Sequence, residues 1–409
     1  MSASPSVRRR VLLVARALPA HVPGGLERHV QDLALGLAGA EVELHLLTHP
    51  LDPAASAPLR AAGLTLHFLP TPHPGRYTLA WLRGVGPLIQ ALHQRHRFSL
   101  IHGQEFALGC WRPRPGDPPL VLSVHGTITS ETPLHPDAWR ELPWPRRPAA
   151  LLRYGRRFLF QPAWRRQLRA AARVLIDSAF TRGELIRALP ELEPRLALIP
   201  LAVRPAAAAP PDYAAARREL GWDDRPRLLT LGRLEWQKGH GLALDALARL
   251  THRAWHYVIG GAGGEAPRLR RQVDRLGLTD RVTFAGWVDE PAKLRLLAGA
   301  DLFLWPERTH PAFGLAGLEA MLQGTPVLAR RRGAAPEVIG DEDGRRCWIV
   351  NEEGTRAVDA WTAALDRLLA DPAPLRAARQ GLAEATRARF PFQRMIEQVL
   401  AEYDRAAGG

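Results

Sequence analysis

"DLFLWPERTHPAFGLAGLEAMLQGTPVLAR", residues 301–330, contains the three parts of a strand–helix–strand unit. The apolar segments 301–306 and 325–330 predict buried strands, and the segment between them predicts a helix that begins at a Phe-Gly-Leu turn and carries Glu319. A Gly-Thr-Pro sequence at 324–326 ends that helix before the second strand begins. Two strands joined through a helix run parallel, so this stretch predicts a parallel sheet covered by helices.

The same alternation of apolar strand segments and helical segments extends outward through the whole chain. The other predicted strands are 11–15, 41–47, 64–69, 99–103, 120–126, 174–178, 196–203, 227–234, 256–262 and 281–288. The Ala/Pro-rich stretch 204–216 has the composition of a linker and divides the chain nearly in half. The fold class is therefore α/β, with two doubly wound Rossmann-like domains that face a cleft and place their ligand sites at the carboxyl ends of the strands.

Composition and charge restrict the function. Cys110 and Cys347 are the only cysteines among 409 residues, which excludes a disulfide framework and a Cys-based zinc site and favours a reducing compartment. No segment approaches the ~18 apolar residues of a membrane span, and the apolar run 11–15 is shorter than that of a signal peptide, so a cytoplasmic location is expected. Residues 1–205 carry 26 arginines and 14 acidic residues, whereas the rest is nearly neutral. A negatively charged partner is expected to meet the first half.

Two motifs of the second half suit an anionic ligand. "LGRLEWQKG", residues 231–239, follows a strand and places Arg233 and Lys238 five residues apart beside a helix start, an arrangement that suits a diphosphate. The alternative is a solvated basic turn. "VIGGAGGE", residues 258–265, is a glycine-rich turn where phosphates could approach the backbone at Gly261, or simply a tight strand-to-helix turn.

Two motifs of the first half also follow predicted strands. Gly24 and Gly25 precede a helix whose amides could hold an anion. His125 ends the strand 120–126 and would point into the cleft, although a single histidine at such a place is equally compatible with a structural role. In the opening stretch, the amides of 313–315 can bind phosphate oxygens at the helix start, and Glu319 can accept bonds from sugar hydroxyls.

Taken together, the motifs resemble those of the retaining glycosyltransferases of family 4, which have the GT-B fold. The resemblance covers about residues 11–403 and includes "GGLERH", "SVHG", "SAFTRGEL", "IPLAV", "GRLEWQKG", "GLTDRVTFAGWV", "FGLAGLEAMLQGTPVLA", "APEVI" and "FPFQRMIEQVLAEY". It implies an N-terminal acceptor-binding domain (1–205), a donor-binding domain (206–385) and a C-terminal helix (386–409) that crosses back to the first domain.

The resemblance also implies roles for individual residues of a site that uses neither a metal nor a cofactor, with a nucleoside diphosphate sugar as donor substrate. The expected catalytic residues are Arg233 and Lys238, which neutralise the diphosphate, and His125, which contacts the donor sugar. Glu319 is expected to bind the ribose. The remaining donor-binding residues are expected to be Gly24, Gly25, Gly232, Gly261, Trp287, Phe313, Gly314 and Leu315.

The sequence departs from the family at one position. The family's Glu-x7-Glu pair places its first Glu eight residues before Glu319, where this chain has Pro311. Neither Glu307 nor His310 has the spacing of the missing carboxylate. The departure leaves open a sugar-nucleotide-binding protein without catalytic activity, and an epimerase or hydrolase on the same fold is a further alternative.

A basic and aromatic segment lies in the first half. Residues 140–173 contain ten arginines and one acidic residue, interleaved with Trp, Tyr and Phe. Around Arg153, Arg156 and Arg157, this composition predicts a surface for anionic lipid headgroups or for a phosphate-bearing lipid acceptor. The alternatives are an ordinary solvated helix face and, less favoured, single-stranded nucleic acid. The expected partners are thus a nucleotide-sugar donor, a glycan or lipid-linked acceptor and an anionic membrane surface, without nucleic acid.

Overall fold

The computed structural model describes residues 9–40, 42–127, 129–206, 211–252, 254–340, 346–351 and 356–408. The strands are β1 Arg9–Val14, β2 Val42–Thr48, β3 Thr65–Phe68, β4 Leu100–Gln104, β5 Leu120–Val124, β6 Arg173–Ile176, β7 Leu196–Leu198, β8 Arg227–Leu231, β9 His256–Gly260, β10 Val282–Gly286, β11 Leu302–Trp305, β12 Val327–Arg330 and β13 Trp348–Val350.

The α-helices follow the strands along the chain, and short 3-10 turns join some of them. The helices are α1 Gly25–Ala38, α2 Pro53–Ala61, α3 Leu79–His96, α4 Pro136–Glu141, α5 Arg147–Tyr154, α6 Gln161–Ala170, α7 Ala179–Ala188, α8 Tyr213–Glu219, α9 His240–Ala248, α10 Ala266–Arg275, α11 Glu290–Gly299, α12 Leu315–Leu322, α13 Ala335–Ile339, α14 Arg356–Ala370, α15 Ala373–Arg379, α16 Leu382–Arg389 and α17 Phe392–Gly408.

The chain forms two compact units. Unit 1 comprises residues 1–127, 156–204 and 391–409, and unit 2 comprises residues 128–155 and 205–390. Residues 128–155 therefore belong to unit 2, whereas the predicted first domain, 1–205, includes them. The stretch 204–216 also differs from the expected linker, because α8 begins at Tyr213 after Asp212, whose side chain accepts the amide hydrogen of Ala215.

The described residues of unit 1 form a seven-stranded parallel sheet in the order β3-β2-β1-β4-β5-β6-β7. Its interior strand β1 has four consecutive apolar residues, Val11 to Val14, that are fully buried. Burial on both faces is what a parallel sheet between two layers of helices requires. The carboxyl ends of these strands therefore lie along one edge.

The last helix, α17, packs against the sheet of unit 1. The Tyr403 hydroxyl and His102 Nδ1 are 2.7 Å apart, and Arg173 Nε donates to Glu402 at 2.5 Å. Tyr403 is fully buried, so the contact with His102 on β4 satisfies polar atoms that have no access to water.

The described residues of unit 2 form a six-stranded parallel sheet in the order β10-β9-β8-β11-β12-β13. The strand order of both sheets reverses beside their first strand, as in doubly wound folds. The predicted fold class is confirmed. The three-residue strand β13 was missed, since Trp348–Val350 is too short to give a periodic pattern. Among the described helices, none is long and apolar enough to cross a membrane.

Candidate functional site

The loop after β8 carries the two predicted cations of the diphosphate clamp. Arg233 is exposed, and within the described residues its guanidinium has no ion-pair partner. The ammonium of Lys238 lies 2.9 Å from Glu307 Oε2, and the Glu307 side chain is only 4% exposed. The Thr309 hydroxyl donates to the other oxygen of Glu307 at 3.0 Å. Lys238 is thus held in one orientation, whereas Arg233 is available to solvent.

The backbone of this loop contacts two neighbouring loops. Gly239 has a φ of 71°, and a Cβ there would collide with the carbonyl oxygen of Pro306 after β11. Gly261 has a φ of 136°, and its Cβ would collide with the carbonyl oxygen of Gly232. The Leu234 amide also donates to Ala262 O at 2.9 Å. Glycine is required at both positions, since L side chains rarely adopt these angles and have no room here.

The helix start at α12 provides the predicted backbone donors. Gly314, with a φ of 106°, precedes the helix and leaves no space for a side chain against the Trp305 ring. Phe313 is buried, with its ring edge-on to Phe390 at 5.7 Å between centroids. The Phe313 side chain therefore serves packing, and what the turn from Phe313 to Leu315 offers a ligand is its backbone.

Glu319, the predicted ribose ligand, lies in an ion-pair network. Lys293 Nζ is 2.5 Å from Glu319 Oε1 and 3.0 Å from Glu290 Oε2. Burial lowers the pKa of Lys293, but the charges of Glu319 and Glu290 outweigh it and raise the pKa above its ordinary value. The Glu319 carboxylate on α12 is thereby fixed against α11. Trp287, which follows β10, is 65% exposed and presents an aromatic face to solvent.

Pro311 is buried, and a carboxylate from another part of unit 2 lies beside it. The amide of Ala312, the next residue, donates to Glu131 Oε1 at 3.3 Å. The amide of His310 donates to the carbonyl of Ser130 at 2.9 Å. Glu131 is itself exposed to solvent. The segment 129–131 thus brings a carboxylate next to the backbone at Pro311, where the family motif has a glutamate.

The segment 129–155 of unit 2 is anchored mainly through Glu141. Its carboxylate, 4% exposed, accepts from Arg330 Nη2 at 2.6 Å, Arg332 Nη2 at 2.7 Å and Arg308 Nη1 at 3.2 Å. Burial raises the pKa of Glu141, but the hydrogen bond from Arg330 and the charges of the three arginines hold it below its ordinary value. One buried carboxylate therefore joins the loops after β11 and β12.

Further ion pairs attach the same segment to the loops that follow β8 and β9. Arg146 lies 3.1 Å from Glu265, and Arg153 lies 3.2 Å from Glu235. Arg153, expected to contact lipid or acceptor, thus has an acidic partner within unit 2, although its side chain remains 60% exposed. The side chains of Arg156 and Arg157 lie outside the described residues.

In unit 1, the predicted residue His125 belongs to a polar network. Its Nδ1 is 3.4 Å from Asp177 Oδ2, its Nε2 is 3.1 Å from Gln104 Oε1, and its side chain is 9% exposed. The ring of His29 meets that of His125 edge-on at 5.1 Å. Both imidazole nitrogens of His125 face protein partners, so its contact with a donor sugar stays a prediction.

Gly24 and Gly25 lie at the start of α1, as the sequence predicts, but an internal carboxylate lies there as well. Glu27, in the first turn of the helix, is 8% exposed and pairs with Arg16 at 2.9 Å. A Cβ at Gly24 would collide with the Glu27 carboxylate. An anion that binds at this helix start has to share the positive end of α1 with Glu27.

Residues that the sequence analysis did not assign to the site are Glu131, Glu141, Asp177, Lys293 and Glu307. Only two of them carry a sequence signal. Asp177 directly follows a strand, and Lys293 is one of two lysines beside 53 arginines. Glu307 does not have the spacing of the family's carboxylate, and its contact with Lys238 spans 69 positions.

Comparisons with known proteins agree with this architecture. Residues 23–207 match the family model described as Glycosyltransferase Family 4, and residues 212–389 match Glycosyl transferases group 1. Sucrose-phosphate synthase from Thermosynechococcus elongatus superposes with a TM-score of 0.77 at 22% identity, over 97% of this chain and 98% of that one. HepE from Anabaena, in complex with UDP and glucose, superposes with a TM-score of 0.72 at 20% identity, over 96% and 98% of the two chains.

A curated relative is the D-inositol 3-phosphate glycosyltransferase of Segniliparus rotundus, 34% identical over 210 residues. That match covers 49% of this chain and 44% of the relative, so the chain spans less than half the length of that relative. The two family models together match both units. The chain therefore belongs to the family 4 glycosyltransferases, and the two doubly wound units are those of the GT-B fold.

Glu141→Gln tests the anchoring of the segment 129–155. Three largely buried guanidinium groups lose the negatively charged carboxylate that they share. We therefore expect the free energy of unfolding at pH 7 to fall by about 3–5 kcal/mol. Because the pKa of Glu141 is lowered in the folded state, its stabilisation is present above the unfolded pKa of about 4.3 and is lost as pH falls through the lowered value.

Urea denaturation of the full chain at pH 7 and near pH 3 measures this difference. The gap between wild type and Glu141→Gln should narrow at the lower pH. Asp359→Asn, which removes an exposed partner of Arg249, is the control and should cost at most about 1 kcal/mol. An equally small cost for Glu141→Gln would contradict the anchoring role.

Proposed function

We propose that the chain is a retaining, metal-independent glycosyltransferase that moves a hexose from a nucleoside diphosphate sugar to a glycan or lipid-linked acceptor. The observation that carries the proposal is the pair of loops after β8 and β11. They are in contact at Gly239 and Pro306 and combine two cations, Arg233 and Lys238, with the backbone of a helix start. Two positive charges beside such amides, one of them held in place by Glu307, favour a diphosphate.

The proposed donor lies along the carboxyl ends of the strands of unit 2. Arg233 and Lys238 hold the diphosphate, Glu319 accepts hydrogen bonds from the ribose hydroxyls, and Trp287 with the strand end of β10 lies at the base. Lys293 Nζ lies 2.5 Å from Glu319 Oε1 and orients the carboxylate. A ligand thus meets a carboxylate that is already fixed, which reduces the entropy lost on binding.

The proposed transfer retains the configuration at the anomeric carbon. The acceptor hydroxyl oxygen attacks that carbon on the face from which the diphosphate departs. The bond between the anomeric carbon and the phosphate oxygen breaks, the bond to the acceptor oxygen forms, and the departing phosphate oxygen takes the acceptor proton. Negative charge grows on the diphosphate, and Arg233 and Lys238 neutralise it in the place that a metal ion occupies in metal-dependent transfer.

The carboxylate missing at position 311 is, in this proposal, supplied by Glu131. Its oxygen lies 3.3 Å from the amide nitrogen of Ala312, so it is next to the backbone from which a side chain at position 311 starts. A carboxylate there accepts hydrogen bonds from hydroxyls of the donor sugar. Because it comes from residue 131 and not from residue 311, it reaches different hydroxyls. Donor recognition, and not the chemical step, is therefore expected to differ from that of relatives with the complete pair.

The acceptor side is supported by charge and by exposed apolar residues. The relative from Segniliparus rotundus is named for an inositol phosphate, and the arginine excess of residues 1–205 suits an acceptor that carries phosphate. Trp144 is 78% exposed and Leu152 76% exposed, close to Arg147 and Arg153 along the chain. This combination favours contact with an anionic membrane surface that presents a lipid-linked acceptor.

The first experiment is a thermal-shift screen of the full chain against UDP, GDP, ADP and their sugars. A ligand at 100 times its dissociation constant adds roughly 2.7 kcal/mol of stability. Stabilisation by one nucleotide and its sugar, followed by release of that nucleotide in the presence of acceptor, supports a transferase. Release without any acceptor indicates a hydrolase, and binding without turnover on any acceptor indicates a silent binder.

Lys238→Ala and Arg233→Ala test the diphosphate clamp. Each removes a cation that neutralises the negative charge added to the diphosphate as the leaving group forms, so we expect kcat to fall by on the order of 10²–10³. Arg249→Ala, an exposed arginine at the opposite end of α9 from Gly239, is the matched control and should leave kcat unchanged. Near wild-type turnover by Lys238→Ala would exclude the clamp.

Pro311→Glu and Glu131→Gln together test the replacement carboxylate. Glu131→Gln should lower kcat/KM for the preferred donor by roughly 10–150-fold, since a charged hydrogen bond of about 1.5–3 kcal/mol is lost. Pro311→Glu should mainly change the preferred sugar. Glu193→Gln, an exposed carboxylate of unit 1, controls for charge. If Pro311→Glu alone switches on a transfer absent from the wild type, the silent-binder alternative is correct.

Leu152→Glu tests the membrane surface. Co-sedimentation of the wild-type protein with vesicles should require anionic lipid. It should weaken with salt, because the Debye length shortens to about 3 Å at 1 M ionic strength. The Leu152→Glu substitution should reduce the fraction of protein bound to vesicles by about tenfold or more. Leu79→Glu, at a similarly exposed leucine of unit 1, should leave the bound fraction unchanged. Equal binding to neutral vesicles, or no binding, would contradict the proposal.

A further inference from the structure

Three histidines meet on one face of the sheet of unit 1, apart from the residues of the candidate site. His45 lies on β2, His67 on the neighbouring strand β3, and His96 is the last residue of α3. In the register of the two strands, His45 pairs with Thr65 and Leu47 with His67, so the two imidazoles are diagonal neighbours on the same face. The end of α3 brings the third imidazole onto that face.

The three rings lie within the distances that a single ion spans. The ring centroids of His45 and His96 are 4.7 Å apart, those of His45 and His67 are 5.1 Å apart, and those of His67 and His96 are 5.3 Å apart. One ring nitrogen from each residue lies within 4.8 Å of the other two. His45 is buried, whereas His67 and His96 are partly exposed, so an ion has access from solvent.

A carboxylate orients the buried ring. Glu43 Oε1 lies 3.1 Å from His45 Nε2 and accepts a hydrogen bond from it when that nitrogen carries the proton. This tautomer leaves the lone pair of Nδ1 pointing at His67 Nε2, 2.8 Å away. Carboxylate–histidine pairs of this kind fix ring orientation and raise basicity in metal sites. Arg10, whose Nε donates to Glu43 at 2.8 Å, holds the carboxylate, and Arg10 and Arg95 are the positive charges near the three rings.

We propose that His45, His67 and His96 form a zinc-type metal site, with Glu43 as its outer carboxylate and water as the fourth ligand. Imidazole nitrogens suit Zn²⁺ and the neighbouring divalent metals, and three histidines with one open position form a tetrahedral site. With metal–nitrogen bonds of about 2.0–2.1 Å, two ligand nitrogens stand about 3.3 Å apart. The His45 and His67 nitrogens therefore separate by roughly 0.5 Å, and the ion replaces their hydrogen bond.

The location of these histidines favours a structural or regulatory metal. Arg10 and Glu43 lie at the amino ends of β1 and β2, whereas His125 and Gly24 follow the carboxyl ends of β5 and β1. The ion would join β2, the edge strand β3 and the C-terminal end of α3. Binding of metal to the folded chain alone stabilises it by mass action, so the ion should raise the melting temperature.

A second group of three possible ligands exists in unit 2 and serves as an internal comparison. His135, Asp137 and His310 also present one ligand atom each within 4.8 Å of one another. However, the guanidinium of Arg332 lies 3.6 Å from the same Asp137 oxygen that is 3.3 Å from His310 Nε2. Asp137 would be a direct ligand and is shared with a cation, whereas Glu43, which Arg10 binds, is only an outer partner of His45. A divalent ion is therefore less favoured in unit 2 than at His45.

The test uses Co²⁺ as the spectroscopic probe and Zn²⁺ as the competitor, on the full chain after treatment with a chelator. We expect one equivalent of Co²⁺ to give the intense visible absorption of a tetrahedral site and Zn²⁺ to displace it. His67→Gln and His96→Gln should each weaken binding by at least 100-fold, and Glu43→Gln by 10–100-fold. His135→Gln and His252→Gln should leave the spectrum unchanged.

The outcomes separate the alternatives. A tetrahedral spectrum that survives in His67→Gln but is lost in His135→Gln assigns the ion to the other group and overturns the proposal, as does the absence of bound Co²⁺ from the wild type. Because His67 and His96 are partly exposed, circular dichroism of their variants without metal should match that of the wild type. If one of these two variants fails to fold, Co²⁺ binding by the other variant tests the proposal. Neither measurement depends on the glycosyltransferase activity.

Discussion

In each unit of this protein, the parallel arrangement of the strands decides where chemistry can occur. The strands are buried on both faces, as the fully buried Val11 to Val14 of β1 shows, and their polar backbone groups are bonded to neighbouring strands. Helices occupy the faces, so a ligand can approach the backbone only at an edge. Because every strand of unit 2 runs in the same direction, Arg233, Gly261, Trp287 and Phe313 all follow carboxyl ends and share that edge.

At this edge the charges are largely compensated before any ligand binds. Both lysines of the chain have acidic partners, Lys238 with Glu307 and Lys293 with Glu319. The exposed guanidinium of Arg233 is the exception among the predicted residues that the structure describes. A buried ion pair costs desolvation, but it fixes the direction of each group. The pairs thus preorganise Lys238 and Glu319, which reduces the reorganisation that binding and leaving-group departure require.

The segment 129–155 adds a second layer of constraint to unit 2. Glu141 binds three arginines at once, and Glu131 reaches the backbone beside Pro311. The presence of proline at 311 is compatible with this arrangement, since the carbonyl of Pro311 accepts from Ala334 and the flanking amides bond to the segment. The loss of one family carboxylate and the approach of another occur in the same few residues, and the proposed change in donor preference rests on this coincidence.

The sequence alone determined the fold class and placed the loops of Arg233, Gly261 and Phe313 after strands. Strand and helix periods are local, and the motifs around Arg233, Gly261 and Glu319 each occupy fewer than twenty consecutive residues. The extent of the strands was also predicted closely, except for the short β7 and β13. The stretch 204–216 was misassigned in part, since Ala-rich sequences are strong helix formers as well as linkers.

Only the tertiary structure decided the partners of these residues. The contacts of Glu307 with Lys238, Glu141 with Arg330 and His45 with His67 join positions 69, 189 and 22 residues apart. Such pairs arise from strand order and loop packing, and a charge pattern along the chain does not specify them. The assignment of 128–155 to unit 2 has the same cause, because its ionic partners lie on loops that β8, β9, β11 and β12 bring together.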